Sequence, residues 1–143
     1  IINADGSMDP AYLEEMLKLC LDKDFVFASR YLPKGGSDDD NLITYIGNHF
    51  FSMLGNIFFQ LNISDILYTY VMGKTKSAKE LNLNSKDFRL CVELPIKAKK
   101  KDMIFCDTPS KERKRIGGKK KVNAFKDGFL ILLGMVKLFF YKK

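Results

Sequence analysis

Between Asp9 and Ala28 the chain carries a capped amphipathic helix and, just after it ends, an uninterrupted apolar run, and this pairing restricts the fold more than any other feature. Asp9 is placed to cap the helix, Pro10 suits its first turn, and Glu14 and Glu15 complement the positive end of the helix dipole. Leu13, Met16, Leu17 and Cys20 then recur at helical spacing, and Asp22-Lys23-Asp24 ends the segment. Phe25-Val26-Phe27-Ala28 follows without alternation, which is how a strand buried on both faces reads. Ile1 and Ile2 supply a strand end before the helix. Strand, helix, strand predicts a βαβ unit in an α/β fold.

The rest of the chain departs from that pattern. Pro33-Lys34-Gly35-Gly36-Ser37, with Asp38, Asp39 and Asp40, predicts a polar loop that ends the α/β portion. Residues 41–61 predict one long amphipathic helix: Ile43, Ile46, Phe50, Met53, Leu54, Ile57 and Leu61 form an apolar face, and Asn48, Ser52, Asn56 and Gln60 a polar stripe. Its length approaches a membrane span, but His49 and the polar stripe would be costly among lipid tails. The helix is expected to lie in a membrane interface or against protein. Further on come a loop or strand region over 65–75, a short helix over 77–83 and a helix over 91–99 interrupted or started by Pro95. A strand at Met103-Ile104-Phe105-Cys106, a basic loop over 109–123 and a hydrophobic helix over 129–141 complete the reading.

The 143 residues suffice for one domain and not for two enzymatic cores. Its expected parts are 1–36 with the βαβ unit, 37–63 with the amphipathic helix, 64–128 with the basic loop, and 129–143 with the hydrophobic C-terminal helix. The three cysteines, Cys20, Cys91 and Cys106, are odd in number and lack CxxC spacing, which argues against a disulfide framework or zinc knuckle and fits a reducing, cytosolic setting. With neither an initiator Met nor a signal peptide at its start, the chain reads as a fragment. Its net charge of +7 is concentrated: residues 97–126 hold twelve Lys and Arg against three acidic residues, a local +9 that leaves −2 for the remainder. Such a field attracts phosphates, lipid head groups or nucleic acid, although a solvated lysine-rich surface has the same composition. No nucleic-acid reader motif is present, and the aromatic residues are bunched with aliphatic ones instead of interleaved with the basic run, so no nucleic-acid partner is expected.

Asn3-x-Asp5-x-Ser7 is the clearest chemical signal, because ligands of open α/β sheets bind beyond the carboxyl ends of the strands. Short oxygen-bearing side chains at alternate positions can hold a hard divalent cation, and they equally make a turn that leads into a helix cap. An EF-hand is excluded by Met8 where the sharp turn needs glycine, and by Pro10 within the loop.

The series Asn3-Ala4-Asp5-Gly6-Ser7-x-Asp9-Pro10, Ala28-Ser29-Arg30-Tyr31 and Lys34-Gly35-Gly36 resembles the family 2 glycosyltransferases, particularly those similar to dolichyl-phosphate mannosyltransferase. Asp65-Ile66-Leu67-Tyr68-Thr69-Tyr70 is similar to that family's Asp-x-x-Tyr-Gly-Tyr or Asp-x-x-Ser-Gly-Phe segment, and Glu93-Leu94 to its later Glu-Leu. Pro109-Ser110, Glu112-Arg113-Lys114-Arg115-Ile116-Gly117-Gly118 and Asn123-Ala124-Phe125-Lys126-Asp127-Gly128 resemble its Arg-and-Gly loop.

The resemblance implies a partial GT-A-type (Rossmann-like) sheet whose nucleotide-binding half precedes this chain, leaving the acceptor side and C-terminal amphipathic, membrane-associating helices. It implies transfer of a sugar from a nucleotide-sugar donor to a polyprenyl phosphate or similar membrane acceptor, at the cytoplasmic face of a membrane, with this piece alone inactive. Asp5, with Asn3 and Ser7 nearby, would hold Mg²⁺ or Mn²⁺ on the donor diphosphate. Asn3 stands where the family usually has aspartate. Arg30, Arg113, Arg115 and Lys121 would meet donor or acceptor phosphate, and Tyr68, Tyr70 and Glu93 would line the acceptor region. For a hydroxyl acceptor, Asp65 is the candidate base. The competing expectation is a non-catalytic basic module that docks on anionic membranes through its amphipathic helices.

Overall fold

The computed structural model describes residues 1–117 and 123–141, an α/β arrangement around a mixed sheet. The predicted capped helix forms as drawn. Asp9 accepts a hydrogen bond from the Ala11 amide, Pro10–Tyr12 makes a 3₁₀ turn, and α1 (Leu13–Cys20) continues from it. Met16 and Cys20 are buried while Leu13 and Leu17 face outward, so half of the apolar spacing contributes to the core.

The apolar run becomes β1 (Phe25–Ser29), buried at every residue. Alternation explains how: Phe25 and Phe27 enter the cluster on one face of the sheet, and Val26 and Ala28 enter the cluster beneath α1. β1 is the central strand, antiparallel to β3 (Val71–Gly73) and parallel to β4 (Phe105–Pro109). Ile1 exchanges two backbone hydrogen bonds with Val71, its amino group donating at 2.6 Å and its carbonyl accepting at 3.1 Å. That exchange marks an antiparallel pair. The N-terminal segment therefore lies across β3 from β1, and the expected strand–helix–strand unit has a reversed strand between its arms.

The Gly- and Asp-rich loop does not leave the α/β portion. Gly36–Ser37 forms β2, parallel to β5 (Lys111–Glu112), and Met8 bridges Glu112 from the other side. Two-residue strands carry no periodic signal, so they were not legible as strands.

α2 (Leu42–Phe59) starts with a reciprocal capping box between Asn41 and Thr44 and ends at Gln60 in the left-handed region, φ 54°. Its orientation is the reverse of an ordinary surface helix. Asn48 and Ser52, from the polar stripe, are buried, whereas Ile43, Ile46 and Ile57 are each more than half exposed at 61%, 58% and 63%. The inward polar groups are partnered: Ser52 Oγ accepts the Ile66 amide at 3.0 Å, and Asn56 bonds both the amide and carbonyl of Ile63.

α3 (Thr75–Glu80) is short, and α4 (Leu90–Lys100) runs through Pro95 without a break. Burial of Val92, Leu94, Ile96 and Ala98 offsets the backbone bond that the proline cannot donate. α5 (Ala124–Phe140) packs on α2 and α4. It buries Ile131, Met135 and Leu138 and exposes Phe129, Leu133, Val136 and Phe140. Phe139 seams the two helices by edge contacts with Phe58 and Phe59 at 6.2 and 6.0 Å between ring centres. Among the described residues, no helix is long and apolar enough to cross a membrane.

Candidate functional site

The carboxyl end of β1 delivers Arg30 to a cleft of about 150 Å³, which Asn3, Tyr68, Glu112 and Arg115 also line. Arg30 is clamped there. Its Nε donates to Asp65 Oδ2 at 2.7 Å and its Nη2 to Asp65 Oδ1 at 2.9 Å, while its backbone amide also reaches Oδ2 at 3.2 Å. Nη1 donates to Glu112 Oε2 at 3.1 Å, and Glu112 is itself fixed by Ser37 Oγ at 2.6 Å. The guanidinium lies over the Tyr68 ring at 4.5 Å, a cation–π contact. Burial works against its charge, but the hydrogen bonds and the charge of Asp65 outweigh burial and hold the Arg30 pKa above its ordinary value.

Asp65 has no exposed side-chain surface. Both oxygens are engaged by Arg30, so the candidate base and the candidate phosphate ligand are brought together as an ion pair. Tyr68 contributes something different. Its hydroxyl and Ser110 Oγ are both buried, and burial raises the Tyr68 pKa while the neighbouring Ser110 side chain works the other way.

Asp5 lies beside Arg115, one of the residues that line the cleft. Oδ1 accepts from the Ser7 amide at 3.1 Å and Ser7 Oγ at 2.8 Å, and Oδ2 faces Arg115 Nη1 at 3.8 Å. Partial burial opposes ionisation, yet the Ser7 bonds and the Arg115 charge together keep the carboxyl below its ordinary pKa. Asn3 Oδ1 accepts from Thr69 Oγ1 at 3.2 Å. Three hard oxygen donors on one turn suit Mg²⁺ or Mn²⁺ in kind. Among the described residues no group of three or more His, Cys, Asp or Glu converges. One carboxylate with neutral oxygens fits a cation that keeps substrate phosphates among its ligands, and does not make an all-protein cage.

The basic segment is anchored to the same turn. The Arg113 amide donates to Ser7 O and the Ile116 amide to Asp5 O, both at 2.8 Å. Gly6, at φ 78°, is needed twice, since a Cβ there would strain the backbone and approach Ile116 Cδ1 to 2.9 Å. Arg113 pairs with Asp9, Lys111 with Asp38, and Arg115 donates to Asp39 Oδ2 at 2.8 Å. Lys121 lies outside the described residues.

Two expected acceptor residues lie elsewhere. Tyr70 is a core residue whose hydroxyl donates to Asp9 O at 2.8 Å. Glu93 accepts the amides of Asn84 and Ser85 and pairs with Lys97 at 2.7 Å. Burial opposes its ionisation, but Lys97 and those donors bring its pKa down to about 2.

Glu112, Ser37 and Asp39 were missed as site residues. Their one sequence signal was the acidic triplet at 38–40 facing a basic run. His49, the lone histidine, makes a tilted contact with Tyr31 and an edge contact with Tyr45, at 4.4 and 4.3 Å between ring centres. No protein-family model matches the chain, and no curated protein matches it significantly.

Proposed function

We propose that this chain is the acceptor-side part of a GT-A-type glycosyltransferase working at a membrane surface, taking a sugar from a nucleotide donor to a polyprenyl phosphate or similar lipid-linked acceptor. One observation carries the reading: a polar cleft lined by Arg30, Tyr68 and Arg115, with Asp5 3.8 Å from Arg115, adjoins an apolar cleft between α2 and α5, the two sharing Thr44, Asn48, Leu67 and Ile131. A head group rich in phosphate oxygens suits the first, and an isoprenoid tail suits the second. The outward apolar faces of α2 and α5 support residence in a membrane interface.

In the reaction an acceptor oxygen attacks the anomeric carbon, a new C–O bond forms, and the bond to the donor diphosphate breaks. A divalent cation bound at Asp5 supplies charge neutralisation of the departing diphosphate. Asp5, Ser7 and Asn3 would hold that cation. Arg30, oriented by Asp65 and Glu112 and lying over the Tyr68 ring, adds fixed positive charge beside the acceptor phosphate. A phosphate needs no deprotonation at neutral pH. Because both Asp65 oxygens are taken by Arg30, the favoured acceptor is a phosphate and Asp65 acts as a positioning residue.

The test is a donor and acceptor screen on the full-length protein in detergent, with and without Mn²⁺. Asp5→Ala is expected to abolish metal-dependent transfer and leave vesicle binding intact. Undiminished turnover in that variant would refute the role of Asp5. The outward apolar faces also fit the second reading, a non-catalytic membrane-binding module, and lipid binding without turnover on any donor would select it.

A further inference from the structure

We infer that a pocket between α4 and α5 holds the phosphate of an anionic phospholipid head group and makes the membrane contact of this chain selective for anionic surfaces. The inference rests on the reading that α2 and α5 lie in a membrane interface, and it adds a lipid that is not the acceptor. The pocket, about 210 Å³, shares no lining residue with the Arg30 cleft. Arg89, Lys97 and Lys137 line it against one carboxylate, Glu93. That carboxylate is already occupied by Lys97 and by the amides of Asn84 and Ser85. Lys97 is built into the wall, with 6% of its side chain exposed. Its Nζ donates to Asn82 O and pairs with Glu93 Oε1, both at 2.7 Å, which leaves one of three N–H donors. Asp87 holds Arg89 through Nε and Nη2, and Nη1 lies outside that fork. The Arg89 stem rests on Gly134, where a Cβ would stand 3.5 Å from Cδ. Among the described residues the Lys137 ammonium has no partner.

The place of the pocket on α5 says which anion it meets. Phe129, Leu133, Val136 and Phe140 share the exposed apolar side of that helix. Leu133, Lys137 and Tyr141 follow one another at four-residue steps, so Lys137 stands on the border between the apolar side and the pocket. A helix lying with its apolar side among acyl chains carries such a border at head-group level, where a lysine keeps its methylenes in the apolar layer and reaches phosphate with its ammonium. Lys100 donates to Phe139 O and Tyr141 O, at 3.4 and 2.5 Å, which offsets the negative end of the α5 dipole beside the pocket. A zwitterionic head group brings a cation of its own and gains less here.

The experiment measures partition of the full-length protein onto phosphatidylcholine vesicles with and without phosphatidylglycerol and reads the ratio of the two. The native protein is expected to favour the anionic vesicles. Lys137→Gln and Arg89→Gln should each lower the ratio about fivefold, the scale of one cation at a charged surface. Lys18→Gln removes a charge from α1, across the sheet from α4 and α5, and should leave the ratio unchanged. Gly134→Leu alters no charge but fills the pocket, so its loss of preference separates a site from diffuse attraction. Lys137 lies at the surface, and its variant keeps the test decisive if Arg89→Gln folds poorly. A native preference that Gly134→Leu does not change, or a native ratio of one, overturns the pocket and spares the membrane reading. Binding to neither kind of vesicle overturns both. Soluble glycerol phosphate should compete only weakly; if it binds the native protein and not Gly134→Leu while the vesicle ratio stays at one, the ligand is a free phosphate ester and the lipid assignment is overturned.

Discussion

Arg30 and Arg115 line the same cleft and are held in opposite ways. Arg30 is 9% exposed and fully matched by a bidentate carboxylate, a second carboxylate and an aromatic face. Arg115 is 25% exposed and is split between two acceptors, one of them distant. The difference separates a cation that builds the cleft from one that can change partners. Residue type alone draws no such line, since both were expected to meet phosphate.

The largest effect should come from breaking the first arginine's clamp. Asp65→Ala leaves Arg30 buried without its main partner and is expected to cost about 3–5 kcal/mol in urea unfolding, against no more than about 1 kcal/mol for Arg115→Ala. Equal losses would erase the contrast. Next is the inward side of α2. Ser52→Ala deprives the buried Ile66 amide of its acceptor, for an expected loss of about 1–3 kcal/mol by the same measurement.

A pH series tests a third charged group remote from the cleft. The Glu93 pKa is lowered from 4.5 to about 2 on folding, so the stability it contributes is complete above pH 4.5 and disappears as pH falls through 2. Thermal melts should show a steeper acid decline over that window for the native protein than for Glu93→Gln. The smallest stability effect belongs to the outward face: Ile46→Ser with Ile57→Ser should stay within about 0.5 kcal/mol for each change, yet reduce flotation with anionic vesicles. Unaltered flotation would remove these residues from the membrane contact.

Much of this architecture was written locally. The Asp9 cap, the β1 run and the extent of α2 follow from near neighbours, and so does the Asp5–Ser7 turn, whose bonds span two residues. Which side of α2 faces inward was not readable, because periodicity locates an apolar stripe and says nothing of what covers it. The clamp joins residues 35 apart and the Glu112 contact residues 82 apart, separations at which sequence offers no register. The Glu93–Lys97 pair was within reach, being spaced four apart on one helix. Pro95 misled because local propensity counts the lost amide and not the buried neighbours that offset it.

β1 is flanked by strands on both edges and covered on both faces. Its amides should therefore be the last to trade hydrogen for deuterium, opening only with the whole molecule. The arginine that follows it is mounted on the slowest-breathing stretch of the chain, so loosening of the peripheral helices, as insertion into lipid would demand, leaves that charge where it was.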